Sequence, residues 1–136
     1  MTIKELEAFC NSSGICNGKL CCEGKEVNVK GYLDFINIFH SKTYPNVLYP
    51  KFRIFDGPNI TKVKNPWSIY TESLEIYPIE GDIERLFERL IGKRGFPLKL
   101  VYIKGVVRGF DAHMEKKTLR LFNLVIKAED VFFDGE

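Results

Sequence analysis

The sequence predicts an all-β fold with one or two helices, in which five strands close into a Greek-key barrel and a helix connects the third and fourth strands. Three observations support this fold. Apolar residues alternate with polar ones from Val27 onward, which is the period of a half-buried strand. Residues 83–91 instead place apolar residues at helical spacing. Turn-forming residues separate the segments, and the resulting order of elements is that of a five-stranded Greek-key barrel.

The composition is that of one globular domain. The chain has 136 residues, of which 45% are hydrophobic and 28% charged, so it is long enough to bury a sizeable core. Charged side chains interrupt every apolar run, and no segment is expected to cross a bilayer. The net charge of +2 does not by itself indicate a polyanionic partner. Positive charge is most concentrated between residues 42 and 64, where five cations face one acid, Asp56.

The first 26 residues form a leader that differs from the rest of the chain. We therefore divide the protein into this leader, residues 1–26, and a barrel domain of residues 27–136. The leader begins with Thr2-Ile3-Lys4-Glu5, which matches the capping box that starts a helix. Asn, Ser and Gly at residues 11–14 end that helix. The leader also holds all four cysteines of the protein.

The barrel strands are predicted to begin near residues 27, 49, 74, 98 and 118, and the helix is predicted over residues 83–91. Gly31 is where the first strand is expected to bend. The helix is expected to plug one end of the barrel with Leu86, Phe87 and Leu90. The residues expected to face the barrel interior are Val27, Val29, Leu33, Phe52, Ile54, Leu74, Ile76, Val101, Ile103 and Leu121.

Three short segments carry a resemblance to a known fold family. Residues 24–32 read Gly-Lys-Glu-Val-Asn-Val-Lys-Gly-Tyr, residues 52–57 read Phe-Arg-Ile-Phe-Asp-Gly, and residues 103–107 read Ile-Lys-Gly-Val-Val. They resemble the first, second and fourth strands of OB-fold domains, the oligonucleotide/oligosaccharide-binding barrels, and are similar to the tRNA-anticodon-like bacterial members. The resemblance covers residues 24–130 and implies a ligand-binding barrel. The cysteine-rich leader and the long stretch over residues 57–72 depart from the family pattern.

The outward faces of the first three predicted strands combine cations with aromatic rings, and we expect single-stranded DNA or RNA to bind there. Cations neutralise phosphates, and rings stack on bases. The loops after the first and fourth strands flank the cleft in OB-folds and add His40 and His113 as further candidates. The predicted nucleic-acid-binding residues are Lys30, Tyr32, Lys51, Arg53, Phe55, Trp67, Tyr77, Lys116 and Lys117. The alternative is a non-enzymatic module that binds a protein or a small ligand on the same face.

The sequence contains no motif of a known enzyme class, so we expect neither catalysis nor a bound organic cofactor. It lacks a Gly-rich phosphate loop, a Ser nucleophile elbow and a paired-His zinc motif. No signal peptide with an apolar segment is visible, which predicts a cytoplasmic protein. The alternative is export followed by removal of a signal peptide. Both faces of the fifth strand are apolar, which suggests burial on both sides or a homodimer contact.

The cysteine cluster has the spacing C-x5-C-x4-C-C, formed by Cys10, Cys16, Cys21 and Cys22. This spacing matches neither a zinc ribbon nor a ferredoxin, and three interpretations stay open: a metal or iron–sulfur loop, one or two disulfides after export, or free thiols packed around the helix. A bond between the adjacent Cys21 and Cys22 would be strained. If a disulfide forms, we therefore expect it to join Cys10 or Cys16 to Cys21 or Cys22.

Overall fold

The computed structural model describes residues 1–33, 37–41, 44, 47–57, 73–92 and 99–134, apart from the side chain of Met114. The helices in these ranges are α1 (Ile3–Ser13) and α2 (Ile83–Ile91), with a 3-10 turn at Ala128–Asp130. The strands are β1 (Ile15–Cys16), β2 (Lys19–Leu20), β3 (Glu26–Leu33), β4 (Ile38–Phe39), β5 (Lys51–Phe55), β6 (Ser73–Pro78), β7 (Lys99–Met114), β8 (Lys117–Ile126) and β9 (Val131–Phe133). Neither helix combines the length and the apolar composition that a bilayer crossing requires.

The barrel consists of β3, β5, β6, β8 and β7, in that order of pairing, and β3 returns to pair with β7. The pairs are antiparallel except for β6 with β8, which run parallel. Helix α2 lies in the chain between β6 and β7. A five-stranded Greek-key barrel with this order of elements is the OB-fold. The fold class predicted from the sequence is confirmed.

The barrel interior contains nine of the ten predicted inward residues. All nine are buried, as are Leu86, Phe87 and Leu90 of α2. Leu121 is the exception and the prediction for it is wrong. The register pairs Val107 with Leu124 and Gly109 with Phe122, so the even-numbered residues of β8 face the interior. Leu121 pairs with Phe110 and belongs to the opposite face.

Two glycines allow the strands to approach closely where the barrel closes. A Cβ atom on Gly31 would lie 3.0 Å from the Ile54 side chain, and one on Gly105 would lie 2.8 Å from Ile126 Cγ2. Such distances are shorter than packed carbon atoms tolerate. A side chain at either position would force the neighbouring atoms to shift, which is the reason that glycine fits these two places in the strands.

Helix α1 begins with the predicted capping box, and a barrel residue adds a second cap. The Glu5 N–H donates to Thr2 Oγ1 over 3.1 Å, and the Thr2 N–H donates to Glu5 Oε1 over 3.1 Å. The amides of Ile3 and Lys4 donate to the two carboxylate oxygens of Asp56, over 2.8 and 2.9 Å. A carboxylate in this position satisfies otherwise unpaired N–H groups and interacts favourably with the helix dipole. Asp56 thus holds the leader against the end of β5.

Two disulfides, Cys10–Cys22 and Cys16–Cys21, join the four cysteines. The expected pairing is confirmed, whereas a metal-binding loop and free thiols are not what the structure contains, because no cysteine remains unpaired. The described residues also include no group of three or more His, Cys, Asp or Glu arranged to hold a metal ion. Cys16 lies in a hairpin of β1 and β2 whose two turn residues, Asn17 and Gly18, both have positive φ. An Asn-Gly pair is the preferred sequence for this tight turn.

Glu23 connects the leader to β8. Its carboxylate accepts two hydrogen bonds from the guanidinium of Arg120, over 2.7 and 3.0 Å, and a third from the Leu20 N–H over 2.7 Å. The hydrogen bonds from Arg120 hold the pKa of Glu23 below its ordinary value. The carboxylate fills the space beside Gly109, where any Cβ atom would collide with it. Gly109 therefore leaves room for the Glu23 carboxylate in the position from which it binds Arg120.

We predict that Phe52→Ala lowers the free energy of unfolding by about 3–5 kcal/mol, because it removes a fully buried ring and leaves a cavity. Denaturant unfolding followed by circular dichroism measures the change. Leu48→Ala is the control, since Leu48 is 85% exposed and its truncation should change stability by less than about 0.5 kcal/mol. Equal stability of the Phe52 variant and the wild type would contradict the assigned core.

The division into leader and barrel stays a prediction. Reduction of the two disulfides tests it. Ile3, Leu6 and Cys10 of the leader share a buried cluster with barrel residues, yet the closed barrel has its own interior. We predict that reduction loosens the leader, residues 1–26, and lowers the free energy of unfolding by less than is typical of disulfide loss in small secreted domains, about 2–5 kcal/mol. Denaturant unfolding and segment-resolved hydrogen exchange of oxidised and reduced protein measure this. Global unfolding on reduction would show that the leader is integral to the barrel.

Candidate functional site

A buried carboxylate organises the outer face of β5 and β6. Arg53 lies directly opposite Glu75 across the two strands. Lys51 Nζ lies 2.9 Å and Arg53 Nη2 3.2 Å from Glu75 Oε1. The hydroxyl of Tyr77 donates to Glu75 Oε2 over 3.0 Å. Alternation along the strands brings these four side chains together, since residues two apart share a face.

Strands β7 and β8 extend this arrangement. Arg108 and Asn123 are cross-strand partners, and Arg108 Nε donates to Asn123 Oδ1 over 3.1 Å. The Arg108 guanidinium lies 4.8 Å from the centre of the Tyr77 ring, a cation–π distance. Four barrel strands therefore contribute to one surface, which we call the outer cluster: Lys51, Arg53, Glu75, Tyr77, Arg108 and Asn123.

Aromatic rings adjoin the outer cluster on the side of β4. The Arg53 guanidinium lies 4.8 Å from the centre of the Phe39 ring. Phe39 in turn stacks on Tyr44, with ring centres 5.1 Å apart and an angle of 23° between their planes. Tyr44 is 37% exposed and Tyr49, further along the same connection, is 76% exposed. Cations and rings therefore alternate across this surface.

The outer cluster has a net positive charge, because it contains three cations, Lys51, Arg53 and Arg108, and one carboxylate, Glu75. Burial alone would raise the pKa of Glu75, but the hydrogen bond and charge of Lys51, together with Arg53 and Tyr77, bring that pKa below its ordinary value. Glu75 is thus ionised at neutral pH. Burial and the neighbouring Glu75 carboxylate raise the pKa of Tyr77 well above its ordinary value, so the phenol stays protonated and donates its hydrogen bond.

The structure unites three of the predicted binding residues, Lys51, Arg53 and Tyr77, in the outer cluster. Phe55 is buried and 5% exposed, so the prediction that it presents a ring on the open face is wrong. It is the last residue of β5, and the next residue, Asp56, binds α1.

The other predicted binding residues lie elsewhere. Lys30 is exposed and lines a groove of about 450 Å³ with Tyr102 and Lys104. Tyr32 is half-buried and pairs with Leu100 and Phe55. The exposed Lys116 and Lys117 lie at the tip of the β7–β8 hairpin, and Trp67 falls outside the described residues. The structure therefore does not place Lys30, Tyr32, Lys116 or Lys117 within the outer cluster.

The two histidines of the predicted loops differ in environment. His40 is buried, with 2% of its surface exposed, and its ring stacks on Phe87 of α2 with centres 4.8 Å apart. Its Nε2 lies 3.3 Å from the Glu84 carboxylate. His113 is exposed on β7 and lies 3.2 Å from Thr118 Oγ1. His40 therefore packs against helix α2, and of the two histidines only His113 lies at the surface.

Sequence reasoning missed Glu75, Arg108 and Phe39. Glu75 follows Leu74 and precedes Ile76, so its outward direction was available from alternation alone. Alternation could not show that Glu75 contacts the cations, because the pairing of β5 with β6 has to be known before Glu75 can be placed opposite Arg53. Arg108 and Phe39 likewise join the outer cluster only through the pairing of separate strands, for which a single sequence carries little signal.

Comparisons with known proteins add one structural likeness. No protein-family model matches the chain, and no curated protein matches its sequence. A similar solved structure is that of Rim1, a mitochondrial single-stranded DNA-binding protein from S. cerevisiae, with a TM-score of 0.49 and 13% sequence identity. The match covers 82% of this chain and 96% of Rim1. A likeness at this level carries no functional argument, and the OB-fold assignment rests on the strand pairing described above.

We predict that Glu75 contributes to a fall in the free energy of unfolding as the pH is lowered into the acid range. Its pKa in the folded protein is lower than the unfolded value of about 4.3, so the unfolded chain takes up the proton first as the pH falls. The stabilisation is therefore present above about pH 4 and is lost below it. Glu75→Gln should cost about 1–3 kcal/mol at pH 7 and should reduce the loss of stability between pH 5 and pH 2.

Denaturant unfolding at several pH values measures both effects, and Glu88→Gln is the control because Glu88 is an exposed residue of α2. Unfolding curves of Glu75→Gln that fall with pH as steeply as those of the wild type would rule out this role.

Proposed function

We propose that this chain is a single-stranded nucleic-acid-binding OB-fold protein that uses the outer cluster. The observation that carries the proposal is the convergence of Lys51, Arg53 and Arg108 around the hydrogen-bonded pair of Glu75 and Tyr77, on the strand face with which OB-folds bind ligands. Single strands are held by cations that neutralise phosphates and by rings on which bases stack. The outer cluster offers both kinds of group within one surface.

Glu75 organises the cations without cancelling them. It holds Lys51 and Arg53 in place while their side chains are only 22% and 16% exposed, so little side-chain freedom remains to be lost when a phosphate binds. Arg108 does not depend on this carboxylate, since its hydrogen bond goes to Asn123. Two positive charges beyond the one balanced by Glu75 are thus available to a phosphate backbone.

Stacking has two candidate positions beside the cations. One is the Arg108 guanidinium above the half-buried Tyr77 ring, because bases stack on guanidinium planes as well as on rings. The other is the Phe39–Tyr44 pair, which presents the partly exposed Tyr44. The exposed Lys116 and Lys117 at the hairpin tip would lengthen the path for a longer strand.

The two disulfides bear on the compartment in which this binding takes place. Disulfides persist in oxidising compartments and are rare in the reducing cytosol. They favour the exported alternative over the cytoplasmic one. Intact-mass measurement of protein isolated from its own cells, with and without reductant, distinguishes the two, since paired and free cysteines differ in mass.

Salt dependence of oligonucleotide affinity tests the electrostatic part of the proposal. For single strands, log affinity falls with log salt concentration with a slope of about 0.7 per neutralised phosphate. We expect Arg108→Ala to reduce the slope by about 0.7, and the double variant Lys51→Ala/Arg53→Ala to reduce it by about the same amount, because Glu75 already balances one of these two cations. Arg108→Ala is the safer variant because it leaves Glu75 fully paired.

The matched control is Lys4→Ala/Lys19→Ala, which removes two exposed charges from the leader. It should leave the slope nearly unchanged. An equal effect of the control and the cluster variants would mean that only net charge matters. No saturable binding of any oligonucleotide at low salt would overturn the proposal and favour a protein- or small-ligand-binding module.

Ring removal tests the stacking part. Tyr77→Ala should weaken binding by about 1–3 kcal/mol while preserving the salt slope, because stacking releases few counterions. Tyr77→Phe keeps the ring and loses only the hydrogen bond to Glu75, so it should bind nearly as well as the wild type. Equal losses for both variants would show that the hydroxyl, rather than the ring, supports binding.

A further inference from the structure

The two disulfides differ in their access to solvent. Cys10 and Cys22 are fully buried, at 0% exposure, and they join α1 to the chain just before β3. Cys16 is exposed and Cys21 half-buried, and they close the small hairpin of β1 and β2. Only the Cys16–Cys21 bond can therefore be reached by an external reagent while the protein stays folded.

We propose that Cys16–Cys21 is a thiol–disulfide exchange site, open to attack by an external thiolate at Cys16 Sγ. Access alone favours Cys16 over its partner, and the local charge favours it further. Lys19 is the cross-strand partner of Cys16, and directly opposed residues of a hairpin share a face. An ammonium group beside the sulfur attracts an incoming thiolate and stabilises the thiolates that form there.

The exchange is a two-electron reduction carried out by two thiols. The external thiolate forms a bond to Cys16 Sγ, the Cys16–Cys21 bond breaks, and its electron pair leaves on Cys21 as a thiolate. A second external thiolate attacks the external sulfur of this mixed disulfide and releases Cys16 as a thiolate. The external thiols leave joined as one disulfide, and Cys16 and Cys21 take up the two protons.

The exchange has a structural consequence at the β7–β8 hairpin. Cys21 lies in the turn in which the Glu23 N–H donates to the Leu20 carbonyl and the Leu20 N–H donates to the Glu23 carboxylate. That carboxylate is the one bound by Arg120 of β8. Opening the bond at Cys21 loosens the turn that aims Glu23, whereas Cys10–Cys22 keeps the leader attached to the barrel.

Graded reduction of the native protein tests the site. The oxidised protein is incubated with increasing reduced glutathione, alkylated, and mapped by peptide mass spectrometry. We expect Cys16 and Cys21 to be labelled while Cys10 and Cys22 stay unlabelled until denaturant is added. Reduction of Cys10–Cys22 first or together with Cys16–Cys21, or resistance of both bonds in the native state, would overturn the proposal.

Two variants sharpen the test. Cys16→Ser/Cys21→Ser should take up no label in the native state, which shows that the labelled sulfurs are these two. Lys19→Gln should slow exchange with anionic glutathione by roughly two- to five-fold, the effect of one exposed charge, and should slow neutral mercaptoethanol less. An unchanged rate with glutathione would refute the role of Lys19.

Hydrogen exchange of the same double variant examines the consequence for the barrel. Amides of residues 109–121 should exchange faster than in the wild type, while those of β3 should keep wild-type protection. Unchanged exchange in residues 109–121 would show that the hairpin bond does not position Glu23. None of these readouts involves nucleic acid, so they stand apart from the proposed function.

Discussion

The pairing of β3 with β7 is the constraint on which the rest of the structure depends. It runs over eight residue pairs, from Glu26 with Val106 to Leu33 with Lys99, and it converts a sheet into a closed barrel. Closure reduces the unpaired edge that an open sheet would present. It also fixes which residues of each strand point outward, because alternation has only two possible phases once the register is set. Gly31 and Gly105 permit the closure, since side chains at these positions would collide with Ile54 and Ile126.

The same constraint creates the outer cluster and its central carboxylate. With the phases fixed, Lys51, Arg53, Glu75 and Tyr77 necessarily share one face. An ionised carboxylate that is nearly buried is costly unless its oxygens are bound, and here both oxygens accept hydrogen bonds. Glu75 therefore fixes the positions of Lys51 and Arg53 and neutralises one of their two charges. The three cations and one carboxylate therefore leave the outer cluster with two uncompensated positive charges.

Most of the fold followed from the sequence, because alternation and helical spacing are local signals. The inward residues of β3, β5 and β6, and the apolar stripe of α2, could be assigned without knowing any partner strand. Leu121 could not, because β8 is apolar on both faces and only its register with Val107 and Gly109 decides the phase. The prediction that Phe55 presents an exposed ring is wrong for a different reason. Its outward phase was right, but the ring is buried, and alternation gives only the direction of a side chain, not whether another part of the protein covers it.

The β7–β8 hairpin links the leader to the outer cluster. One face of the hairpin carries Arg120, which is bound by Glu23 of the leader, and the opposite face carries Arg108, which covers Tyr77. The two faces of a two-stranded hairpin move together, since a change of twist that moves residues on one face also moves their neighbours on the other. The glycine at residue 109 lies between these two contacts in sequence and is filled by the Glu23 carboxylate. Any loosening of Glu23 therefore acts on the backbone next to Arg108. The leader therefore contacts the barrel at two places, through α1 at Asp56 and through Glu23 at the hairpin whose opposite face carries Arg108.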